Sequence, residues 1–323
     1  MRFADVRGHE RIKGLLQGAL KQGRLPGGLL FTGPDGVGKK ALALAAGRAL
    51  LCEGAPIDEP CGACPPCNRS GKGIHPDLFL LEPEGTSIKI ERVRDMVREV
   101  VGRPFEGRAR AFVVDQAHLL TEQAQNALLK SLEEPPATSH VMLVTGAPQA
   151  LLTTIRSRCQ TLRVGGLPAS VLEELLRERQ GLGAEEARLR AVLADGSLSA
   201  ALAFEAGAYA SLRDTLLSLL ERLPALGAIE KMEEAESLAD ADDVPQAMTA
   251  LRALLRDVAA LAAGSAPGSV LNADVAPRLS GLAGGPLGPR AGALAETVGE
   301  TREALRVNAN RLLSMDVLLD RLA

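Results

Sequence analysis

Gly33-Pro34-Asp35-Gly36-Val37-Gly38-Lys39 follows a short apolar run at residues 29–32 and opens an Ala/Leu-rich segment at residues 40–51. A strand, two glycines separated by this spacing and a lysine at the start of a helix form the phosphate-binding loop (P-loop) pattern. The glycines let backbone N–H groups face a phosphate, the helix N-terminus adds favourable potential, and Lys39 would reach the terminal phosphates. The alternative is a glycine-rich turn that only joins a strand to a helix.

Further apolar runs lie downstream at residues 78–81, 111–115, 141–145 and, more weakly, 160–164. Continuous apolar runs are typical of parallel strands that are buried on both faces. Helical patterns separate them: one includes Ile90, Val93, Val97 and Val100 at helical spacing. The alternation predicts right-handed crossovers and a doubly wound parallel α/β sheet.

Other signals mark where helices begin and end. Thr121 is a predicted N-cap, and Pro135-Pro136 should end the helix that it begins. After about residue 165 the strand patterns stop, and helices are predicted at residues 168–179, 184–194 and 199–206. From residue 207 onward the chain is predicted to be helical, except for the Gly/Pro-rich stretch at residues 264–292, which is predicted to be a loop or a partly ordered connection.

Composition limits the classes of function. The 323 residues carry a net charge of −3, so any DNA contact is expected to be local or made within an assembly. Aromatic residues make up only 2%, which argues against a base-stacking single-strand binder. The first residues contain no apolar signal-peptide core, and no run reaches the roughly 18 apolar residues of a membrane helix. A cytoplasmic protein without membrane contact is expected.

Four cysteines lie close together in sequence: Cys52, Cys61, Cys64 and Cys67. Cytosolic thiols stay reduced, and four thiolates at this spacing suit tetrahedral Zn²⁺. With all four positions filled by protein, the site would be structural. The alternative is a set of unrelated buried thiols. Cys159 is far away in sequence and is not expected to be a ligand.

Two positions depart from a working P-loop ATPase. Lys40 stands where a Ser or Thr hydroxyl would bind Mg²⁺, so it would compete with the metal if it pointed inward or remove a ligand if it pointed outward. Asp115 ends an apolar strand at the metal-side acidic position, but Gln116 follows where a glutamate would polarise water, and an amide cannot accept that proton. Taken alone, Asp115 could simply cap a turn.

A cysteine cluster between a P-loop helix and the second strand resembles the bacterial DNA polymerase III clamp-loader subunits, gamma/tau and delta-prime, of the AAA+ class. The resemblance covers nearly the whole chain and is most specific in residues 1–165. Matching segments are residues 3–9 (FADVRGH), 75–77 (HPD), 126–136 (NALLKSLEEPP), 157–159 (SRC) and 308–310 (NAN). The resemblance implies an AAA+ domain at 1–165 with a zinc module at 52–67, a helical lid at 166–206 and a helical collar at 207–323.

Within that family the departures favour the delta-prime type. The motor subunit resembles this chain but has Thr or Ser at Lys40, Glu at Gln116 and an Arg at Ser199. Thr145 keeps the sensor-1 position, although Gly146 beside it is atypical, and no long tail follows as in tau. The resemblance implies a delta-prime-type subunit with little or no ATPase, supporting ATP-dependent loading of the sliding clamp onto primed DNA together with gamma/tau and delta. The implied nucleotide positions are Gly33, Gly36, Val37, Gly38, Lys39, Lys40, Asp115, Gln116 and Thr145.

The resemblance also implies that Arg158 is an arginine finger that acts on a neighbouring subunit's ATP. The alternative is that Arg158 or Arg156 binds solvent or a local carboxylate. Three rival functions stay open: an active gamma/tau-type motor, an unrelated AAA+ regulator or recombination ATPase, and a delta-prime subunit that keeps ATP as a structural ligand. An apolar stripe in the collar could contact partner subunits or form core: Leu251, Leu254, Leu255, Val258 and Leu261.

Overall fold

The computed structural model describes residues 1–54, 58–241, 244–306 and 309–323. It divides into two compact units, one formed by Met1–Leu172 with Gly196–Ala200 and the other by Glu173–Asp195 with Ala201–Ala323. The finer division into three domains at 1–165, 166–206 and 207–323 stays a prediction. Within the described residues, no helix is long and apolar enough to cross a membrane.

The first unit contains a five-stranded parallel sheet in the order β2-β3-β4-β1-β5. All five predicted strands are confirmed: β1 (Gly28–Thr32), β2 (Leu78–Leu81), β3 (Arg110–Val114), β4 (Ser139–Thr145) and β5 (Gln160–Arg163). The central strands β1, β3 and β4 are buried along their whole length, as expected when helices cover both faces. Because the strands are parallel, their carboxyl ends form one edge, where ligands of such sheets bind.

Helices cover the two faces of this sheet. One core includes Phe31 and Ala43, and the other includes Phe112 and Leu128. Thr121 is the predicted N-cap: its side-chain oxygen accepts a hydrogen bond from the N–H of Ala124 at 3.3 Å. The helices up to the end of the sheet are α1 (Glu10–Lys21), α2 (Lys39–Leu51), α3 (Pro65–Gly71), α4 (Ile90–Val100), α5 (Glu122–Glu133) and α6 (Thr153–Arg158).

The remainder of the described chain is helical. The observed helices differ from the prediction at the end of the helix predicted at residues 199–206 and at the start of the helix that follows it. The helix predicted at residues 199–206 ends at Leu202, and a new helix begins at Ala206, because Phe204 leaves the helical path and packs 5.5 Å from the Tyr209 ring. The helices after the sheet are α7 (Ala169–Gln180), α8 (Ala184–Leu193), α9 (Leu198–Leu202), α10 (Ala206–Arg222), α11 (Ala228–Ala239), α12 (Val244–Ala262), α13 (Ala276–Ala283), α14 (Ala291–Arg306) and α15 (Arg311–Leu322).

The sequence predicts a loop or a partly ordered connection at residues 264–292; the loop alternative is wrong, because the segment contains α13 and short 3-10 turns. Pro277 lies in the first turn of α13, where its missing N–H leaves no hydrogen bond unmade. Leu279 is fully buried, and the buried carboxylate of Asp257 accepts hydrogen bonds from the N–H groups of Leu271 and Asn272 at 2.9 Å each. Packing and this carboxylate order a segment whose composition suggests a loop.

The apolar stripe of α12 forms core. Leu251, Leu254, Leu255 and Val258 are fully buried within the second unit, and Leu261 is partly buried against the same cluster. The intramolecular alternative is therefore confirmed, and the four buried side chains are not available to a partner. In the segment 308–310, Asn308 lies outside the described residues.

Candidate nucleotide and metal sites

Three glycines shape the loop between β1 and α2. Gly33, Gly36 and Gly38 have φ values of 145°, 74° and 103°, which L side chains rarely adopt. A methyl group on Gly33 would lie 1.9 Å from the carbonyl oxygen of Val164. Val37 is buried between them, and its carbonyl accepts a hydrogen bond from His9 Nε2 at 2.7 Å. The loop therefore has a curled backbone that only these glycines permit.

The lysine of the loop is turned onto the loop itself. Lys39 is 5% exposed, and its Nζ donates to the carbonyls of Gly33 at 2.7 Å and Pro34 at 2.5 Å. It also lies 3.2 Å from Asp35 Oδ1. A Cβ on Gly146 would come within 2.5 Å of that same carboxylate oxygen. The atypical Gly146 thus provides the space in which Asp35 reaches Lys39.

Lys40, the second residue of α2, points toward the ends of two strands. Its Nζ forms an ion pair with Glu82 and lies 3.3 Å from Asp115 Oδ2. Partial burial by itself would lower the pKa of Lys40, but hydrogen bonds and charge from Glu82 and Asp115 outweigh it, and the pKa is raised above its ordinary value. The Lys40 side chain therefore points inward, toward the carboxylate of Asp115.

The remaining predicted nucleotide positions lie on the same edge of the sheet. Asp115 Oδ1 accepts from the N–H of Gln116 at 3.0 Å, so the carboxylate both caps the turn and pairs with Lys40. Gln116 is exposed, with a φ of 49°. Thr145 is buried; its Oγ1 accepts from the N–H of Ala147 at 3.0 Å and lies 3.1 Å from His118 Nδ1.

The segment that contains Ser199 lies on the P-loop. The N–H groups of Leu198 and Ser199 donate to the carbonyl of Gly36 at 3.0 and 3.4 Å. A Cβ on Gly36 would come within 2.2 Å of Ser197 Oγ. Ser199 is thus close to the loop, as the resemblance implies for this position, but it carries no positive charge.

The four clustered cysteines converge in space. Their Sγ atoms all lie within 4.8 Å of one another, with Cys52 and Cys64 4.0 Å apart and Cys61 and Cys67 4.0 Å apart. A Zn–S bond of about 2.3 Å requires tetrahedron edges of about 3.8 Å, so this arrangement fits a four-thiolate metal site. The four cysteines could therefore hold a metal ion such as zinc.

Backbone N–H groups point at the sulfurs. Cys52 Sγ accepts from Gly54 and from Cys61 at 3.3 Å each, and Cys61 Sγ accepts from Ala63 at 3.5 Å and from Cys64 at 3.3 Å. The last two donors lower the pKa of Cys61 to about 6. Burial instead raises the pKa of Cys67 to about 12. Metal binding would remove the protons from all four thiols.

Two arginines fix the backbone around the cluster. Arg48 in α2 donates to the carbonyl of Cys67 at 2.9 Å, and Arg108 donates to the carbonyl of Cys52 at 3.1 Å. Cys159 packs in the core formed by α4, α5 and α6, and burial raises its pKa to about 12. The prediction that it does not belong to the cluster is confirmed.

A buried carboxylate connects the cysteine module to the sheet. Asp77 is fully buried; its Oδ1 accepts from the N–H of Phe105, and its Oδ2 accepts from the N–H of Glu106, both at 2.8 Å. Arg110 Nε lies 3.1 Å from Asp77 Oδ1, and the Glu106 side chain accepts from Arg69 of α3 at 2.6 Å. The sequence marks 75–77 only as a family segment; the structure shows Asp77 to be an anchor.

Arg158 is the last residue of α6. Its Nη1 donates to the carbonyl of Thr154 at 2.9 Å, and its Nη2 pairs with Glu133 at 2.6 Å. Its side chain remains 34% exposed. In this single chain, the local-carboxylate alternative describes the contact that is present, and the role of Arg158 toward a neighbour stays a prediction.

A parallel sheet in this order, with a P-loop after β1 and an acidic residue after β3, is the arrangement of the P-loop class of α/β proteins. Residues 8–167 match the family model described as DNA polymerase III, delta subunit. Over this part of its length the chain is similar to the delta-prime and tau/gamma subunits of DNA polymerase III.

Three relatives show how far the similarity extends. DNA polymerase III subunit tau of Salmonella typhimurium is 37% identical over 65% of this chain and 33% of its own length. Subunit delta' of Bacillus subtilis is 35% identical over 66% of this chain and 64% of its own length. Subunit delta' of Pseudomonas aeruginosa is 39% identical over 52% of each protein. The chain thus matches less than two thirds of the length of each relative, and both subunit types match at comparable identity.

Proposed function

We propose that this chain is a delta-prime-type subunit of the DNA polymerase III clamp loader, which supports ATP-dependent loading of the sliding clamp onto primed DNA but has little or no ATPase activity of its own. The observation that carries the proposal is the pairing of Lys40 with Asp115 and Glu82. Sequence similarity alone does not separate the delta-prime type from the motor type, because relatives of both types match.

The chemistry of the site supports a weak or absent ATPase. Phosphoryl transfer in P-loop enzymes needs a divalent metal held by a Ser or Thr hydroxyl and an acidic residue. Here the acidic residue, Asp115, lies 3.3 Å from an ammonium group that has replaced the hydroxyl. Gln116 cannot accept a proton from the attacking water. Binding of the metal and activation of the water are both impaired, whereas the glycines and Lys39 still allow a weak ATP site.

The same subunit could still act on a neighbour's ATP through Arg158. A guanidinium supplied in trans stabilises the charge that develops on the transferred phosphoryl group. Arg158 is exposed, and among the described residues it contacts Glu133 and Thr154 at the surface, so a more highly charged phosphate could displace these contacts. Partner subunits would be gamma/tau and delta, and the location would be the cytoplasm.

We also propose that the cysteine cluster holds one structural Zn²⁺. Four thiolates leave no open position for water or substrate, so the ion would supply folding stability rather than chemistry. Cys52, Cys61, Cys64 and Cys67 would be its ligands, and the N–H groups of Gly54 and Cys64 would support them.

Two rival functions explain the geometry less well. An active gamma/tau-type motor would have to tolerate an ammonium group beside Asp115. An unrelated AAA+ regulator or recombination ATPase would not account for the cysteine cluster together with the Ser157-Arg158-Cys159 segment.

The decisive experiment is ATP turnover with Mg²⁺ and primed DNA, first with the purified chain alone and then in a reconstituted loader. The isolated chain should not turn over ATP, and activity should appear when motor subunits are added. Robust turnover by the isolated chain would refute the proposal.

The role of Arg158 is tested in the reconstituted loader. Arg158→Ala should remove the share of turnover that the neighbouring site contributes, because losing an arginine finger costs that site roughly 10³–10⁵-fold. Arg156→Ala is the matched control, because Arg156 is an exposed arginine of the same helix whose side chain contacts only nearby Thr153 among the contacts described. Equal turnover for both variants would remove Arg158 from the mechanism.

A further inference from the structure

The ends of β2 and β3 place two carboxylates side by side. Leu81 and Val114 are paired in register, and Glu82 and Asp115 follow them directly. The N–H of Asp115 donates to the carbonyl of Leu81 at 2.9 Å, which fixes this alignment. Two neighbouring carboxylates at one strand edge repel each other unless a cation lies between them.

The cation is supplied by the protein. Lys40 Nζ contacts both carboxylates, pairing with Glu82 and lying 3.3 Å from Asp115 Oδ2. Lys39 cannot take this place, because its ammonium is already held by the carbonyls of Gly33 and Pro34 and by Asp35. The two consecutive lysines therefore have different partners, one within the loop and one at the strand ends.

We propose that Lys40 is the specificity-determining residue that excludes a divalent metal from this P-loop, its ammonium standing as a resident cation between Glu82 and Asp115. Mg²⁺ prefers carboxylate and water oxygens in octahedral geometry, and it is repelled by an ammonium group within contact distance of its ligand. The residues present therefore do not fit the metal that P-loop proteins normally use. This inference deepens the proposed function at the same site and rests on its assignment of the P-loop.

Removal of the ammonium should create a metal site. In Lys40→Thr, a hydroxyl and two carboxylates would face one another, the donor set that Mg²⁺ and Mn²⁺ prefer. Lys40→Gln removes the charge while keeping most of the side-chain length, and it provides a second neutral variant if the first is poorly folded. Lys40→Arg is the matched control, because it keeps a positive charge at the same position.

The test is Mn²⁺ binding to the isolated full chain, followed by electron paramagnetic resonance of the free ion. Wild type and Lys40→Arg should show no saturable site that depends on Asp115, whereas Lys40→Thr and Lys40→Gln should each gain one. Asp115→Asn added to Lys40→Thr should abolish it, which separates this site from any Mn²⁺ bound at the cysteines. An Asp115-dependent Mn²⁺ site in the wild type, or no gain in both folded neutral variants, would overturn the inference.

The outcome is distinguishable from failure of the proposed function. Mn²⁺ binding is measured on the isolated chain, without partners or ATP. If the neutral variants gain an Mn²⁺ site but the loader needs no contribution from this chain, the role of Lys40 in excluding metal is retained and the proposed function is rejected. If the neutral variants gain no Mn²⁺ site but the chain supports loading without turning over ATP, the proposed function is retained and the role of Lys40 in excluding metal is rejected.

Discussion

The carboxylate of Asp77 is the contact on which the first unit should depend most strongly. Asp77→Asn keeps the shape of the side chain but replaces one acceptor oxygen with an NH₂ donor. Because the two oxygens accept separately from the N–H groups of Phe105 and Glu106, one of these N–H groups would then face another donor in a fully buried place. Leaving a buried donor unsatisfied costs about 1–3 kcal/mol.

The ion pair adds to this cost. The Arg110 side chain is 6% exposed and lies 3.1 Å from Asp77, so the substitution leaves a buried guanidinium with less negative charge around it. Glu99 still accepts from Arg110 at 2.8 Å, and the rings of Phe79 and Phe112 still lie 5.0 and 5.7 Å from the guanidinium carbon. We therefore expect the free energy of unfolding to fall by about 3–4 kcal/mol, at the lower end of the range for breaking a buried pair.

Urea unfolding followed by far-ultraviolet circular dichroism measures this loss. With a typical dependence of about 2 kcal/mol per molar urea, the midpoint of the affected transition should fall by about 1.5–2 M. Hydrogen exchange should also accelerate at one of the two amides, Phe105 or Glu106, whichever faces the new NH₂ group. Asp95→Asn is the matched control, because Asp95 is exposed and pairs with Arg98 one turn away, and the substitution should shift the midpoint little. A shift for Asp77→Asn no larger than that of the control would refute the reasoning.

Two further substitutions test the metal cluster and the P-loop backbone. Cys64→Ser should lose bound zinc to a chelator much faster than wild type, because a hydroxyl is a poor substitute for a thiolate. Cys159→Ala is the control and should retain its zinc. Elemental analysis of both variants after chelation measures the difference. Equal zinc content after chelation would contradict the proposed ligand set. Gly33→Ala should lower the free energy of unfolding by more than about 3 kcal/mol, because the new methyl group would lie 1.9 Å from the Val164 carbonyl oxygen at a φ of 145°. Gly14→Ala in α1 is the control; it should be neutral or stabilising, because no neighbouring atom lies within 4 Å of the added carbon. Comparable melting temperatures for the two variants in thermal unfolding would show that the loop can rearrange.

The strands and the cysteine cluster were predictable because their signals are local. An apolar run of four or five residues between helical patterns has few solutions other than a buried parallel strand, and each predicted strand lies within a residue or two of its observed position. Likewise, three of the four cysteines lie within seven residues of one another, so the chain between them can bring their sulfurs together.

The helix at Ala276–Ala283 was not predictable in this way. Composition at residues 264–292 favours a loop, yet the fold supplies a partner from elsewhere: the carboxylate of Asp257, in α12, holds the N–H groups of Leu271 and Asn272. The helix at 199–206 fails for a similar reason, since Phe204 gains more by packing on Tyr209 than by continuing the helix. Side-chain contacts override local propensity in both cases.

The orientation of Lys40 depends on strand order, which the sequence does not contain. The departure from Ser or Thr is visible at one position, but whether an ammonium replaces the metal or avoids it depends on what lies opposite. Glu82 becomes its partner only because β2 pairs with β3 and brings the residue after each strand to the same place. The available signal was a carboxylate directly after one predicted strand, Glu82, and another at the end of the next, Asp115; it identifies the pair only when the two strands are neighbours. The role of Arg158 also depends on what lies opposite it. Within the single chain its side chain contacts Glu133, and the phosphate of a neighbouring subunit's ATP could replace that contact only in an assembly.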